Sequence, residues 1–444
     1  WRRKGVVLLS CAEVLVDDVV VEPCSGLKGE LRVPGDKSIS HRAAFLGALS
    51  DEGIRVDNFS SGEDCASTLR CLEALGFSVV RSGGRVSVSR GSGPSDPAEP
   101  LYAGNSGTTA RLLCGLMSAV PGLFWVITGD GSLRGRPMGR VVEPLRSLGA
   151  RIDGRDGGRL LPLSIRGARL SGGRLELRVH SAQVKTALIL AGLMGGDVLT
   201  VAEPHLSRDH TEVMLEHLGV PVRRNGLSVT VYPVDRVPGG AWEVPGDMSS
   251  AAFWLVTGAV VPRSDLVVRG VCLNRGRTGL LDALRAMGCH VEVHPRSPQG
   301  GEAVGDVRVR HSNLRGIKVQ PHQVPSMVDE LPVLAVAASL AQGQTEIRGA
   351  GELRHKECDR IGAMAQGLSA MGVRIREVED GWVIQGNGGA PLSPARVDSY
   401  GDHRIAMALA VGALAASGPV EIRGASCVSI SYPEFFDHLK GLVS

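Results

Sequence analysis

One pattern recurs six times along the chain and restricts the fold more than any single motif does. Each copy is a polar cluster, an apolar helix rich in Ala and Leu, a short strand, and then a second helix ending in L-x-x-L/M-G with another strand behind it. The opening helices are expected to begin at Asp36, Asn105, Ser181, Asp247, Asp329 and Asp402. The second helices end in CLEALGFSVV, PLRSLGARID, MLEHLGVPVR, ALRAMGCHVEV and GLSAMGVRIREV. In each of these the Gly falls where a helix C-terminus takes a positive φ, and an alternating apolar strand comes next. The sixth copy, DHRIAMALAVGALAASGPVEIRG, is shortened. A unit repeated in this way is one supersecondary element that buries its apolar face against its neighbours.

The first and fourth copies both open on PGD, at Pro34 and Pro245, 211 residues apart. Six copies with two such openings imply two domains of three units each. The expected boundaries are an N-terminal extension over 1–22, one domain of 23–35 plus 247–444, and another of 36–246, with the active site in the cleft between them. The opening helices, such as TALILAGLMGG and LPVLAVAASLAQG, are apolar nearly all round and are expected inside, with strands packed outside them. The expected class is therefore α/β: two domains, each of three βαβαββ-like units with buried helices and outer sheets. Buried helices of this kind can aim several N-termini, with their unpaired N–H groups, at one place, and such ends bind anions.

Composition removes several function classes. The formal net charge is only +3 and aromatics are 4% of the residues, too few for stacking platforms, so a nucleic-acid binder is not expected. No run approaches 20 uninterrupted apolar residues, so no membrane span is expected. The nine cysteines include no C-x-x-C, which fits free thiols in a reducing compartment rather than a disulfide or zinc framework. The start, WRRKGVVLLSCAEVLVDDVV, has a basic end and an apolar run but no small-residue cleavage site, so cytoplasm is the expected location. Of the 49 Lys plus Arg residues only seven are Lys, so a lysine inside a motif hints at a specific need for an ammonium. Lys37, Lys185 and Lys356 all fall inside motifs.

The polar clusters hold the chemistry. After the first PGD, Lys37, Ser38 and Arg42 put an ammonium, a hydroxyl and a guanidinium within about one helical turn, suited to phosphate or carboxylate. Asn105-Ser106-Gly107-Thr108-Thr109-Ala110-Arg111 is a small, Gly-containing cap that lets backbone amides approach an anion. The loop GDGSLRGRPMGR, with Arg134, Arg136 and Arg140, reads either as a solvated loop or as a mobile cationic lid. Ser181, Ala182, Gln183 and Lys185 offer neutral donors and one ammonium. Arg208-Asp209-His210-Thr211-Glu212 reads equally as a capping cluster or a site. Asp329 and Glu330 place two carboxylates at a helix start, where a general base is possible. Lys356 and Arg360 beside Glu357, and Arg404 beside Asp402, complete a set of cations with Lys37, Arg42, Arg111, Arg136 and Arg208, and such a set around Asp329 and Glu357 suits a pair of polyanionic substrates.

Taken together, LRVPGDKSISHRA, AGNSGTTARLL, RPMGR, HSAQVKTALILAG, RDHTE, DELPVLAVAA, HKECDRIGAMA and YGDHRIAMA closely resemble the enolpyruvyl transferases that act on shikimate 3-phosphate, over nearly everything from residue 25 to the end. The resemblance implies an inside-out α/β barrel in each domain, transfer of an enolpyruvyl group from phosphoenolpyruvate with release of phosphate, no cofactor and no metal, and a monomer. It implies Lys37, Ser38, Arg42, Ser181, Ala182, Gln183, Arg208, Asp329 and Lys356 as shikimate 3-phosphate ligands. Lys37, Gly107, Arg136, Gln183, Arg360 and Arg404 are implied for phosphoenolpyruvate, and Asp329, Glu357 and Lys37 for catalysis. Glyphosate, which competes with phosphoenolpyruvate in this family, is an implied inhibitor. The chain departs from the pattern at Asn274-Arg275-Gly276-Arg277, where relatives carry N-x-T-R, and at Ile430, where some carry Lys. The sister family acting on a UDP-N-acetylglucosamine substrate is the alternative; its lid loop carries a Cys, and residues 128–140 here contain none.

Overall fold

The computed structural model describes residues 12–14 and 17–443. The chain divides into two units: one of 1–34, 246–297 and 303–444, the other of 35–245 with 298–302. The six opening helices, labelled α1 to α6 in chain order, run Lys37–Ala48, Gly107–Ser118, Ala182–Met194, Met248–Val260, Leu331–Leu340 and His403–Leu414. Every residue of α2, α4, α5 and α6 is buried. These helices are apolar on all faces because they lie beneath the sheets, as the sequence predicts.

Six four-stranded sheets share one plan: an edge strand parallel to its neighbour, then two antiparallel strands. In the contiguous unit, Leu101–Tyr102 and Phe124–Thr128 flank α2 in sequence and pair in parallel, and Gly173–Glu176 and Leu199–Ala202 do the same around α3. The strands beside the two PGD segments are exchanged. Lys28–Arg32 precedes α1 but pairs in parallel with Asp265–Cys272, which comes after α4. Gly240–Glu243 precedes α4 but pairs with Ile54–Asp57, which comes after α1.

The PGD segments are where this exchange takes place. The Asp36 amide donates to Pro245 O at 2.8 Å, and the Asp247 amide donates to Pro34 O at 2.9 Å. Asp36 caps α1 through the Ile39 amide, and Asp247 caps α4 through the Ser249 amide. Gly35 is required by a close approach, since a Cβ there would lie 1.8 Å from Asn58 O. PGD is thus architecture in both copies, and the copies diverge at the next position: Met248 is fully buried, while Lys37 is held by Asp64 at 2.9 Å.

The shortened sixth copy is completed from the other end of the chain. Its sheet runs Ala395–Asp398, Val420–Arg423, Val19–Val21 and Ala12–Val14, so two N-terminal strands stand where the other sheets use the strands after the second helix. The segment 17–22, read from sequence as part of an extension, is therefore in that sheet or its turns, with the Gly424 amide donating to Asp18 at 2.9 Å. Residues 1–11 of the expected extension lie outside the described residues. Two expected helix starts shift. α2 is capped by Ser106 rather than Asn105, whose side chain is taken up by Arg136 and Asp130. α5 begins at Leu331, after both Asp329 and Glu330, with no side-chain cap. Eight described cysteines are free thiols, five of them buried. Among the described residues no helix is long and apolar enough to cross a membrane.

Candidate active site

In the contiguous unit the N-terminal ends of α1, α2 and α3 are stitched into one polar cluster. Arg42, 3% exposed, donates from Nε to Thr211 Oγ1, from Nη2 to Thr186 Oγ1 and from Nη1 to Ser38 O, all at 2.8 to 2.9 Å. Burial pulls its pKa down to about 10, partly offset by Glu212 and Asp36, so the guanidinium remains charged at neutral pH. A hydroxyl chain links α1 to α2: His41 Nδ1 to Thr68 Oγ1 at 2.7 Å, Thr68 to Thr109 at 2.6 Å, and Thr109 to Ser106 Oγ at 2.7 Å. His41 is fully buried, and burial, with Lys37 and Arg42 nearby, holds its pKa well below the ordinary value, so it is a neutral core histidine.

α2 and α3 are joined by Arg111, which donates to Gln183 Oε1 at 2.6 Å while Gln183 Nε2 donates to Thr108 at 2.8 Å. Gly107 leaves room for that guanidinium, because a Cβ there would stand 2.7 Å from Arg111 Nη1. Arg136 donates to Asn105 Oδ1 at 2.5 Å and to Asn105 O at 3.2 Å. Its loop is anchored at Asp130, which accepts from Asn105 and from the Leu133 amide, and through the fully buried Leu133 and Met138, while Gly131, Ser132, Arg134 and Gly135 are exposed. Ser181 caps α3 through the Val184 amide at 3.4 Å, with Ala182 and Gln183 half-buried beside it. Arg208, half-buried, lies on the segment leading into the helix His210–His217, which supplies Thr211 to Arg42.

The other unit gathers the remaining predicted residues around Arg360, which is 1% exposed. Its Nε donates to Asp402 at 2.7 Å, Nη2 to Glu357 at 2.6 Å, and Nη1 to Asp329 at 3.4 Å. Burial alone would lower its pKa, but Asp402, Glu357 and Asp329 outweigh it and push the pKa above its ordinary value. Asp329 also has Lys356 and Arg404 at 3.9 Å, and its backbone oxygen accepts from Arg404 Nη1 at 3.2 Å. Asp402 is fully buried and caps α6 through the Arg404 amide, which fixes Arg404 at the start of that helix. Asp359 caps the helix Arg360–Ala370 through the Ile361 and Gly362 amides.

The two adjacent carboxylates are thereby told apart. Glu330 is buried and accepts from the Ser249 hydroxyl, which in turn accepts from Arg277 at 3.0 Å; Arg277 also binds Asp247 at 2.5 Å. Glu330 is scaffold, and Asp329 meets the cations. The Asn274–Arg277 departure keeps this scaffold, since Asn274 Oδ1 accepts from the Gly276 amide and Arg277 reaches Asp247. Sequence reasoning missed Asp64 as the partner of Lys37, 27 positions away, and Thr186 and Thr211 as partners of Arg42. No local spacing signals such pairs. Asp402 was visible in its motif, but its place beside Arg360, 42 positions away, was not.

The family model for EPSP synthase (3-phosphoshikimate 1-carboxyvinyltransferase) matches residues 21–439. The chain is 48% identical to the 3-phosphoshikimate 1-carboxyvinyltransferase of Synechococcus sp. (strain JA-3-3Ab), covering 96% of this chain and 97% of that one. It is 49% identical to the protein of the same name from Roseiflexus sp. (strain RS-1), covering 94% and 97%. Among solved structures, EPSP synthase from Acinetobacter baumannii superposes with TM-score 0.86 at 39% identity over 96% of this chain and 98% of that one. The enolpyruvyl transferase NikO from Streptomyces tendae shares the fold at TM-score 0.78 with 18% identity, over 96% of this chain and 97% of that one. The chain belongs to the EPSP synthase (3-phosphoshikimate 1-carboxyvinyltransferase) family.

Proposed function

We propose that this chain transfers the enolpyruvyl group of phosphoenolpyruvate to the 5-hydroxyl of 3-phosphoshikimate and releases phosphate. The observation that carries the reading furthest is the buried Arg360, which holds Asp329 and Glu357 beside one another among Lys356 and Arg404. In the first step the 5-hydroxyl oxygen bonds to C2 of phosphoenolpyruvate and gives its proton to Asp329, while C3 takes a proton through Glu357. In the second, C3 gives up a proton and the C2–O bond to phosphate breaks, which restores the C2–C3 double bond as an enol ether of the 5-oxygen and releases phosphate.

Lys37 and Lys356 stabilise the charge that develops in the tetrahedral intermediate. Lys37, Ser38, Arg42, Ser181, Ala182, Gln183 and Arg208 grip 3-phosphoshikimate, joined by Asp329 and Lys356. Lys37, Gly107, Arg136, Gln183, Arg360 and Arg404 take phosphoenolpyruvate. Because the guanidinium of Arg360 is engaged by three carboxylates, an incoming anion exchanges with one of them rather than filling an open site. The test is release of inorganic phosphate on mixing the purified chain with both substrates. Release with either substrate alone at the same rate, or none with both, would overturn the reading.

A further inference from the structure

Lys185 is the only lysine among the described residues whose side chain is buried, at 2% exposure, and it stands on the third opening helix among apolar neighbours. Its ammonium lies 2.8 Å from Glu203 and 2.7 Å from Glu212, carboxylates that are 3% and 4% exposed. Those two glutamates bracket the segment that carries Arg208: Glu203 comes directly after the strand Leu199–Ala202, and Glu212 lies in the first turn of the helix His210–His217. Glu203 also accepts from the Ser207 amide at 3.2 Å and from the Ser207 hydroxyl. On the other side of Arg208, Asp209 is bound by Arg224 at 2.9 Å. Thr186 and Thr211, the neighbours of Lys185 and Glu212 in sequence, are the two hydroxyls that accept from Arg42.

Burying an ion-paired lysine with two glutamates in an apolar helix bundle is poorly repaid in stability, and an apolar side chain at 185 would continue the burial that surrounds it. What the cluster does accomplish is geometric, because one ammonium fixes both ends of the Arg208 segment and registers it against the helix start that bears Ser181, Ala182 and Gln183. We propose that Lys185 is a positioning residue for 3-phosphoshikimate, holding Arg208 in place through Glu203, Ser207 and Glu212. The inference rests on the reading above, in which that arginine grips the substrate.

The test is made on the full chain. Lys185→Met combined with Glu203→Met removes one charge of each sign. It is expected to raise KM for 3-phosphoshikimate about tenfold, a displacement-sized effect, and to leave kcat and KM for phosphoenolpyruvate within about threefold. In an Arg208→Gln background the same pair should add no more than about twofold, because it acts through the residue already removed. Ser207→Ala, which leaves the buried triad intact, should raise only KM for 3-phosphoshikimate, by about threefold, and it carries the test if the double variant does not fold. An unchanged KM for 3-phosphoshikimate in the folded variants would overturn the proposal, as would parallel loss in all three parameters or full additivity with Arg208→Gln. If Arg208→Gln alone leaves that KM unchanged, it is the assignment of Arg208 to the substrate that fails, and the positioning role fails with it.

Discussion

Asp329 and Glu330 are neighbours with the same chemistry and opposite employment. Asp329 is 15% exposed in its side chain with three cations at 3.4 to 3.9 Å, whereas Glu330 is buried against Ser249. Asp329→Asn is therefore expected to lower kcat by at least about 10²-fold, the scale of a lost general base, with an unchanged melting temperature. Glu330→Gln should lower the melting temperature and keep kcat within about tenfold; phosphate release and thermal melts on both variants distinguish the roles. His41 carries a pH signature. Its folded pKa is depressed below the ordinary 6.5, so the unfolded chain takes up a proton that the folded chain refuses. Its contribution to stability is complete above that value and is lost as pH falls below it, with a slope of up to about 1.4 kcal/mol per pH unit. Denaturant midpoints between pH 7 and pH 5 should fall less steeply in a His41→Gln variant than in the parent chain.

Between α2 and α3 the packing leaves no space for a methyl group: a Cβ on Gly115 would lie 2.1 Å from Ala187 O. Gly115→Ala raises intrinsic helix propensity but forces the helices apart, and a net loss of about 1–3 kcal/mol is expected in chemical denaturation. A gain in stability would show that these helices can separate without cost. At this scale the sequence was most informative. The five L-x-x-L/M-G endings each place their Gly at a positive φ, from 73° at Gly219 to 99° at Gly149, since helix termination there is a local matter of backbone conformation. The all-apolar helices were equally legible, because burial on every side leaves no polar face. Legibility failed where a side chain's partner lies far along the chain. Asn105 and Asp329 look like caps by their positions, yet their side chains are claimed by Arg136 and by Arg360, and only the folded arrangement sets those claims. Lys185 shows the same limit, since its motif position gave no sign that two buried glutamates would enclose it.

At the scale of the whole chain, the six sheets share one plan although the copies are not all contiguous, and the sixth takes two strands from the N-terminal side. Deleting residues 1–22 should therefore leave Val420–Arg423 without the strand that pairs with it at Val19–Val21. Hydrogen exchange is expected to lose amide protection over 420–423 while α2, in the other unit, keeps its own; equal loss in both would contradict the sheet pairing. The exchanged strands also bear on how the protein is made. Residues 35–245 form all but a short turn of one unit, so the ribosome releases that unit nearly whole before most of the other exists. Val19–Val21 and Lys28–Arg32, although synthesised first, pair with Val420–Ile422 and Asp265–Arg269, the former about 400 residues later. At roughly 5–20 residues per second that wait is on the order of 20–80 seconds. During it Val19–Val21 has no partner strand from the last repeat, whereas Lys28–Arg32 can pair once Asp265–Arg269 has emerged, so translation speed and chaperone access bear most on the segment that stays unpaired until the last repeat emerges.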